Sequence, residues 1–323
     1  MRILVTGGAG AIGGNLVQAL VKDKRVEHVT ILDDLSSGYL ENLPEGLKMK
    51  FIRGNVTDDE LLEKIFNSGK FHTVVHFAAN FANQSSVDFP RKDLEVNGMG
   101  TLKVLEYSME WKIKRFVFSS SSCVYGHKEG LLKESDRAFS VDTPYGATKL
   151  LGERYVEFFH QHHGLDTVTL RFFNSYGPGE WPGKYRNVIP NFMYLALQKK
   201  PLPITGTGDE TRDFNYVSDT VDGTLAAIQK KGVAGKVFNL GSGKETSILS
   251  LAKEINRIAD NPAGVVFTQR RKWDKVLNRR ACIDQSKKYL HYKPCVATRE
   301  GLRLTYEWFV SRDFKNPRTI LFQ

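Results

Sequence analysis

The first half of the chain alternates short apolar runs with amphipathic stretches, and this alternation limits the folds that it can adopt. Apolar runs with the length of a β-strand lie at 2–6, 28–33, 48–53, 71–77, 114–119 and 166–171. Helical patterns separate them at 12–22, 58–67, 90–110 and 145–163. Such alternation is typical of βαβ units, and runs that are apolar throughout indicate a parallel sheet covered on both faces. We therefore predict an α/β fold.

The pattern changes after residue 172, where the chain becomes irregular and rich in glycine and proline. Further helical patterns follow at 187–199, 218–230, 246–259 and 298–311. We interpret residues 1–172 as a Rossmann-type domain with a doubly wound parallel sheet, to which 215–240 returns. Residues 173–214 and 241–323 are then predicted to form a smaller, irregular α/β lobe.

Composition excludes several classes of protein. Of the 323 residues, 41% are hydrophobic and 25% are charged, as in an ordinary globular chain. No apolar run reaches the length of a membrane-spanning helix, and the apolar N-terminal segment is too short for a signal peptide. We therefore expect a cytoplasmic protein without a membrane partner. The three cysteines contain no Cys-x-x-Cys pair, so neither a disulfide framework nor a metal site is predicted.

The chain carries a formal net charge of +10, and the segment 270–280 alone has six basic residues against one acid. A solvated basic surface explains such an excess, and attraction of an anionic ligand is a second interpretation. The sequence has neither a basic motif interleaved with aromatic residues nor a zinc-finger spacing. Nucleic acid is therefore not a predicted partner.

A glycine-rich turn joins the first predicted strand to the first predicted helix. Gly7, Gly10 and Gly13 have the spacing Gly-x-x-Gly-x-x-Gly. Such glycines permit a tight turn, close approach of the backbone to a pyrophosphate, and close packing of helix on strand. The N-terminus of the helix then presents free N–H groups and a positive dipole to the phosphates. This glycine loop therefore predicts a dinucleotide site.

The second predicted strand ends in Asp33, twenty residues after Gly13. A carboxylate at this position accepts hydrogen bonds from both hydroxyls of a ribose and repels a 2′-phosphate. Neither the residues 34–37 nor the glycine loop supplies a basic side chain for such a phosphate. The predicted dinucleotide is therefore NAD rather than NADP.

A tyrosine and a lysine four residues apart begin the helix predicted at 145–163. Tyr145 and Lys149 lie about one turn apart on one helix face, where the ammonium is expected to lower the pKa of the phenol. The serine run 119–122 follows a predicted strand, at the edge of the sheet where ligands of α/β folds bind. A serine hydroxyl there can hold a substrate hydroxyl toward the tyrosine, which would act as acid and base.

The chain resembles the NAD-dependent nucleotide-sugar epimerase/dehydratase family of extended short-chain dehydrogenase/reductases. The resemblance covers essentially the whole chain and rests on TGGAGAIG (6–13), Asp33, HFAAN (76–80), Asn97, SSSSCVYG (119–126), YGATK (145–149) and RFFNSYGPG (171–179). It implies that the chain is an enzyme with NAD as its cofactor. In this family pattern Tyr145 is the acid/base, Lys149 is its partner and ribose anchor, and Ser121 binds the substrate hydroxyl.

The resemblance also implies which residues contact the cofactor. They lie in the glycine loop, after the second, third and fourth strands, and in the helix that begins with the catalytic pair. These are Gly7, Gly10, Ala11, Ile12, Gly13, Asp33, Asp34, Ser36, Asn55, Val56, Phe77, Ala78, Ala79, Asn97, Tyr145 and Lys149. Asn55 departs from the family pattern, in which aspartate is frequent near the adenine.

The later part of the chain resembles the family's site for a UDP-sugar substrate. The implied contacts are Ser122, Asn174, Asn187, Val188, Ile204, Arg212, Arg271 and Asp274. Independently of the family, the diphosphate of a sugar nucleotide is doubly charged and suits the donors of arginine side chains. Relatives usually carry Pro-Gly where this chain has Lys272 and Trp273. The resemblance further implies a homodimer formed through helices at 90–110 and 145–163.

The family's shared first step is oxidation of the sugar at C4. Simple 4-epimerases then turn the ketosugar and return the hydride, but a C4 ketone also makes the C5 hydrogen acidic. Family dehydratases carry Asp-Glu directly after Ser121, whereas this chain has Ser122 and Cys123, which disfavours a standard dehydratase. GDP-mannose 3,5-epimerases carry a cysteine in a similar position, so Cys123 is a candidate acid/base for C5. A small buried apolar residue is the alternative interpretation of Cys123.

The segment 300–323 resembles the tunicamycin-pathway UDP-GlcNAc 5,6-dehydratase and suggests a related class, the Pal-type oxidoreductases of pseudaminic acid synthesis. Such an enzyme oxidises C4 of a UDP-6-deoxy-GlcNAc-5,6-ene, reduces the alkene and inverts C5, with NADH recycled internally. A UDP-hexose or UDP-uronate 4-epimerase is the alternative enzyme. A non-catalytic dinucleotide-sensing or RNA-binding module is the alternative of another class. The joint presence of Tyr145, Lys149 and Ser121 favours an enzyme.

Overall fold

The structure is a computed structural model that describes residues 1–81, 83–136 and 140–312. Its strands are β1 (Arg2–Thr6), β2 (His28–Asp33), β3 (Met49–Arg53), β4 (Thr73–His76), β5 (Arg115–Ser121), β6 (Gly130–Leu132), β7 (Thr167–Phe172), β8 (Ser175–Tyr176), β9 (Leu202–Thr205), β10 (Thr211–Arg212), β11 (Asn215–Tyr216), β12 (Lys236–Leu240), β13 (Thr246–Ser247), β14 (Val265–Thr268) and β15 (Asn278–Ala281). Each of the six strands predicted in the first half is present, with both ends within two residues of the prediction.

The α-helices are α1 (Ala11–Lys22), α2 (Asp59–Gly69), α3 (Asn83–Asp88), α4 (Pro90–Asp93), α5 (Gly100–Glu110), α6 (Pro144–His163), α7 (Val188–Leu197), α8 (Val217–Gln229), α9 (Ile248–Ile258) and α10 (Thr298–Ser311). The helix predicted at 90–110 is continuous but not uniform. Residues Leu94–Met99 form a π-helical segment between α4 and α5. Thr101 Oγ1, in the first turn of α5, donates to the carbonyl of Asn97 in this segment at 2.6 Å, which satisfies an acceptor of the widened turn.

Seven strands form one sheet in the order β3-β2-β1-β4-β5-β7-β12, and all neighbouring pairs are parallel. The predicted α/β fold of Rossmann type is therefore confirmed. Because the strands are parallel, their carboxyl ends meet at one edge of the sheet. Asp33, Ser121 and Phe172, the last residues of β2, β5 and β7, share this edge with the glycine loop after β1.

The sheet is covered on both faces, as its uninterrupted apolar strands predict. In β1, Ile3 and Val5 belong to one buried cluster, whereas Leu4 between them belongs to the other. Successive side chains of a strand point to opposite faces, so one five-residue run supplies both cores. Among the described residues, no helix combines the length and apolar character needed to cross a membrane.

The later segments form smaller sheets beside the main one. One has the order β13-β10-β15-β6, and two strand pairs, β8 with β11 and β9 with β14, lie apart from it. The sequence did not predict these strands. Several of them have only two residues, which is too short to show the alternation of apolar and polar side chains that marks a strand. Their ends nevertheless carry several of the residues predicted to bind the substrate.

Candidate active site

The glycine loop lies at the carboxyl end of β1 and leads directly into α1. A Cβ on Gly13 would lie 2.2 Å from the Gly7 carbonyl oxygen, so only glycine allows α1 to pack this closely. Gly7 has a φ of +70°, and a Cβ there would lie 2.5 Å from the Ala78 nitrogen. Gly10 precedes α1 without a side-chain cap, which leaves the first N–H groups of the helix as donors for an anion.

Asp33 and Asp34 border the same cavity at the end of β2. The two carboxylate oxygens of Asp33 accept hydrogen bonds from the backbone nitrogens of Ala9 at 2.9 Å and Leu35 at 2.8 Å. These bonds fix the carboxylate while each oxygen keeps lone pairs for a ribose hydroxyl. Burial raises the pKa of Asp33 from its usual value. Asn55 Nδ2 donates to Asp34 Oδ2 at 3.0 Å, so Asn55 holds the second acid in place.

Replacing Asp33 should change the choice between the two dinucleotides. We expect Asp33→Ser to lower the preference for NAD over NADP by about 10- to 100-fold, because a carboxylate beside a 2′-phosphate costs several kcal/mol. Titration of each dinucleotide by tryptophan fluorescence measures the ratio of dissociation constants. Glu45→Ser, at an exposed acid nearby, is the control. An unchanged ratio in Asp33→Ser would show that this carboxylate does not select the cofactor.

Small and apolar side chains form most of the remaining wall of this first cavity. The predicted residues that line it are Gly7, Gly10, Ala11, Ile12, Gly13, Asp33, Asp34, Ser36, Asn55, Val56, Phe77, Ala78, Ala79, Tyr145 and Lys149. Glycines suited to a diphosphate, a carboxylate suited to a ribose, and apolar surface suited to flat rings occur together. The residues present therefore fit NAD.

The structure places Asn97 behind the wall of the first cavity, and its contact with the cofactor stays a prediction. Asn97 is 1% exposed and does not belong to the described residues that line the first cavity. Its Nδ2 donates to Asp93 Oδ1 at 2.8 Å, and its Oδ1 accepts from the Asn80 nitrogen at 2.7 Å. Asn80 does line the cavity. Asn97 therefore fixes the backbone of Asn80 in the cavity wall, and its own amide is part of a buried polar cluster.

Three side chains meet where the ends of β5 and α6 approach each other. Thr143 caps α6 by accepting from the Gly146 nitrogen at 3.3 Å, and this cap sets the position of Tyr145 one residue into the helix. Ser121 lies close enough to Tyr145 to lower the pKa of its phenol. One turn further, Lys149 lies with its Nζ 5.8 Å from the centre of the Tyr145 ring. These three predicted catalytic residues line the first cavity together with the fourth, Cys123.

The expected lowering of the Tyr145 pKa is not found. Burial raises the pKa of Tyr145, with smaller contributions from Cys123 and Asp93, and Ser121 opposes the rise. The Lys149 ammonium donates to the Ser119 carbonyl at 2.8 Å. Burial in turn lowers the pKa of Lys149 to about 8. The tyrosine therefore needs a further positive charge in this cavity before it becomes a base.

Cys123 lies beside this group and is partly exposed rather than fully buried. Asn83 Nδ2 donates to its Sγ at 3.5 Å, and Asn83 Oδ1 accepts from Thr143 Oγ1 at 2.7 Å. The thiol therefore has a polar neighbour that is fixed by the residue capping α6. A donor at this distance supports a thiol that takes part in proton transfer more than one that only fills space.

A second cavity opens where the first one ends. Six residues line both of them, namely Asn83, Ser122, Cys123, Asn174, Arg186 and Asn187. Val188, Arg212, Arg271 and Asp274 line only the second cavity. All of the predicted substrate residues except Ile204 therefore border one connected space that begins at the catalytic side chains.

The charged side chains of the second cavity come from separate segments. Arg212, at the end of β10, pairs with Asp274 at 3.0 Å between Nη2 and Oδ1. Arg271 lies over the ring of Trp273, with 5.7 Å between the guanidinium carbon and the ring centre. Trp273 Nε1 donates to Gln84 Oε1 at 2.9 Å, which links this segment to α3. Trp273 thus replaces the usual Pro-Gly with a contact across the cavity.

The structure places Ile204 in the apolar core, and its contact with the substrate stays a prediction. Ile204 lies in the middle of β9 and is fully buried in the larger apolar cluster. Its neighbours Pro203 and Thr205 line the second cavity instead. Because side chains alternate along a strand, the residue between two cavity-facing positions points into the core.

Sequence reasoning missed several residues that line these cavities. Asn83 and Gln84 follow β4 at the same edge of the sheet as the catalytic group, and this position was the signal that could have indicated them. Glu180 and Arg186 precede the predicted Asn187 in an irregular loop without a recognisable motif. Arg279, 7% exposed, donates from Nη1 to the Ser122 carbonyl at 2.9 Å and so supports the turn that carries Cys123.

Comparison with known proteins agrees with this arrangement. The sequence model of the NAD dependent epimerase/dehydratase family matches residues 3–241. An uncharacterized UDP-glucose epimerase, YtcB of Bacillus subtilis (strain 168), is 34% identical over 315 residues, which cover 94% of this chain and 96% of that protein. The structure of epimerase Mth375 from Methanothermobacter thermautotrophicus is 48% identical, with a TM-score of 0.92 and coverage of 96% of this chain and 92% of that chain.

Two further structures bear on the predicted reactions. The UDP-N-acetylglucosamine 4-epimerase of Methanobrevibacter ruminantium M1, in complex with UDP-N-acetylmuramic acid, is 33% identical, with a TM-score of 0.88 over 96% of this chain and 98% of that chain. Pal from Bacillus thuringiensis is 31% identical, with a TM-score of 0.91 over 96% of this chain and 99% of that chain. A Pal-type reaction stays a prediction, and residues 313–323 of the segment that suggested it lie outside the described residues.

These matches confirm the predicted enzyme, its cofactor NAD and its class of nucleotide-sugar chemistry, and they give no support to a non-catalytic module. The glycine loop, Asp33 and the Tyr145–Lys149 pair all lie within the matched residues 3–241. The chain belongs to the NAD-dependent epimerase/dehydratase family.

Proposed function

We propose that the protein is a UDP-sugar 4-epimerase in which Tyr145 moves the proton of the C4 hydroxyl. The observation that supports this most strongly is that Ser121, Tyr145 and Lys149 lie together in the wall of the first cavity, beside its junction with the second. Ser122 and Cys123, directly after Ser121, line both cavities. A sugar whose diphosphate occupies the second cavity would reach the tyrosine at this junction.

The residues of the chain suit each part of this reaction. Ser121 holds the C4 hydroxyl, and the phenolate of Tyr145 accepts its proton and later returns it. When bound, NAD supplies the acceptor and donor of the C4 hydride and, in its oxidised form, a positive charge. That charge would favour the phenolate and so lower the pKa of Tyr145, which burial raises. The Lys149 ammonium, with a pKa lowered to about 8, remains charged at neutral pH.

The second cavity supports a UDP-sugar as substrate. Arg212 and Arg271 offer guanidinium groups for a diphosphate, and Asp274 offers a carboxylate for a ribose hydroxyl. In the absence of substrate Arg212 and Asp274 are paired with each other, so binding would exchange one ion pair for contacts with the ligand. The relatives described above, a UDP-glucose epimerase and a UDP-N-acetylglucosamine 4-epimerase, favour inversion at C4.

A second candidate reaction adds chemistry at C5 and is favoured by the position of Cys123. The thiol lines both cavities and accepts a hydrogen bond from Asn83 at 3.5 Å. A thiol so placed could remove or deliver the C5 proton of a 4-ketosugar, as a Pal-type enzyme requires. The overall similarity to Pal is compatible with this candidate.

Isotope exchange separates the two candidates. The enzyme is incubated in deuterated water with UDP-glucose, UDP-N-acetylglucosamine or UDP-glucuronate, and the products are read by NMR. We expect C4 inversion without deuterium at C5 for a 4-epimerase. Cys123→Ala should then lower kcat by less than about tenfold, because a group outside proton transfer does not contribute the factor of 10² to 10⁴ of an acid or base. Deuterium at C5 that disappears in Cys123→Ala would instead establish the second candidate.

The homodimer implied by the resemblance remains a proposal, and the surface of two helices supports it. Large apolar side chains are exposed along the π-helical segment, α5 and α6, including Leu94 at 50%, Met99 at 48% and Phe158 at 45%. A cluster of this kind on neighbouring helices is typical of an interface with another chain.

A further inference from the structure

The loop 177–187 between β8 and α7 is fastened to the glycine loop. Asn15 Nδ2 donates to the Pro178 carbonyl at 2.8 Å, and Asn42 Nδ2 donates to the Gly179 carbonyl at 3.0 Å. Asn15 Nδ2 also donates to the Ala11 carbonyl in the first turn of α1 at 2.8 Å, and Asn42 Nδ2 donates to the Ala9 carbonyl in the glycine loop at 3.0 Å. The residue after Gly179 is thereby held beside the segment that would receive a diphosphate.

That residue is Glu180, and its carboxyl group is only half satisfied. Glu180 is 5% exposed. Its Oε1 accepts from Asn187 Nδ2 at 2.9 Å, whereas its Oε2 is buried without a hydrogen-bond partner among the described residues. Glu180 lines the first cavity and does not belong to the lining of the second. An incompletely paired buried polar oxygen beside a ligand cavity indicates a missing ligand.

The charges around Glu180 favour its protonated form. Burial raises the pKa of Glu180 to about 7, and Arg186 on the same loop opposes the rise only in part. The other charged side chains that line this cavity are Asp33, Asp34, Lys92 and Lys149. The glycine loop itself contains no basic side chain. A diphosphate placed here would add negative charge and raise the pKa of Glu180 further.

We propose that Glu180 binds the diphosphate of NAD as a neutral carboxylic acid, with its free oxygen donating a hydrogen bond to a phosphate oxygen. A carboxylate at the same position would repel the phosphates. A protonated acid instead supplies a hydrogen-bond donor beside the glycine loop, which has no basic side chain of its own. Glu180 is therefore a cofactor-binding residue whose proton is required for tight retention of NAD. Affinity for NAD then falls as Glu180 loses its proton.

The size of this effect follows from the fraction of protein that carries the proton. With a pKa of about 7, about nine-tenths of Glu180 is protonated at pH 6 and about one-tenth at pH 8. The apparent affinity for NAD is proportional to the fraction of protein in which Glu180 is protonated. NAD should therefore bind about tenfold more weakly at pH 8 than at pH 6. Lys149, with a pKa near 8, titrates at the upper end of this range and affects any variant in the same way.

Calorimetry of NAD binding to the cofactor-depleted protein tests the proposal directly. Titrations at pH 7.5 in two buffers with different ionisation enthalpies report the number of protons taken up. The wild type should take up more than about half a proton per NAD, from the fraction that is deprotonated at that pH. Glu180→Gln, which keeps the acceptor for Asn187 and a permanent donor, should lose this uptake and bind NAD more tightly than the wild type at pH 8.

Two controls separate the proposal from general effects. Glu41→Gln, at an exposed acid of the neighbouring segment, should behave as the wild type. UDP occupies the second cavity in this scheme, so its binding should show no proton uptake that depends on Glu180. The proposal is overturned if wild type and Glu180→Gln take up equal numbers of protons with NAD, or if only UDP binding distinguishes them. Unchanged thermal unfolding of apo Glu180→Gln would show that the variant is folded.

Discussion

The Tyr145→Phe variant will bind NAD and UDP-sugar with nearly parental affinity but will turn substrate over about 10³-fold more slowly. The phenol supplies general acid and base catalysis, whose removal costs a factor of about 10² to 10⁴. The ring itself is 7% exposed and packs against its surroundings, so phenylalanine preserves the shape of the site. Single-turnover absorbance of NADH and NMR of the sugar product measure the loss.

A control variant and the separate values of kcat and KM distinguish a loss of proton transfer from a loss of substrate binding. Tyr155→Phe, on the same helix but outside the residues that line the cavities, is the matched control and should keep the parental rate. An unchanged KM with a reduced kcat in Tyr145→Phe indicates an interaction that matters in the transition state. Parental turnover in Tyr145→Phe would eliminate the proposed role of this residue, whatever the sugar.

The second large effect is on stability. Arg171, in β7, pairs with Glu153, in α6, at 2.8 and 2.7 Å, and the two side chains are 6% and 2% exposed. Removing one partner of a buried ion pair leaves an uncompensated charge, so Arg171→Met should lower the free energy of unfolding by about 3–5 kcal/mol. Denaturant unfolding of the apo protein at fixed pH measures the change.

The pair also supports the active site. Ser120 Oγ donates to Glu153 Oε1 at 2.5 Å, and Ser120 directly precedes Ser121. Arg257→Met, which breaks an ion pair with 54% and 26% exposed side chains away from Glu153, should change stability by less than about 1 kcal/mol. The double variant Glu153→Leu, Arg171→Met should recover part of the loss, because no buried charge then lacks a partner. A change below about 1 kcal/mol in Arg171→Met would contradict the assigned importance of this pair.

Much of the cofactor site could be predicted from the sequence because its determinants are local. The glycine spacing is fixed by contacts within the loop, such as the 2.2 Å that a Gly13 Cβ would leave to Gly7. Asp33 ends a strand whose apolar run is itself visible in the sequence. Tyr145 and Lys149 share one helix face by their spacing alone. Each of these features needs only a few neighbouring residues.

The positions of other predicted site residues depend on distant segments. Ile204 and Asn97 were assigned through the family pattern, but strand alternation turns the first into the core and a buried polar cluster engages the second. The pKa of Tyr145 was expected to fall from the proximity of Lys149. It rises because the tyrosine is buried, with smaller contributions from Cys123 and Asp93.

The sequence by itself determined the parallel sheet and the glycine loop, and it predicted the acid after β2 and the Tyr145–Lys149 pair. Periodicity and short spacing encode these features, since they arise within single strands, turns and helices. Only the tertiary structure decided that Asn83 contacts Cys123, that Trp273 reaches Gln84, and that Glu180 lies beside the glycine loop. Such contacts join segments far apart in the chain, and their burial and charge exist only once the chain has folded.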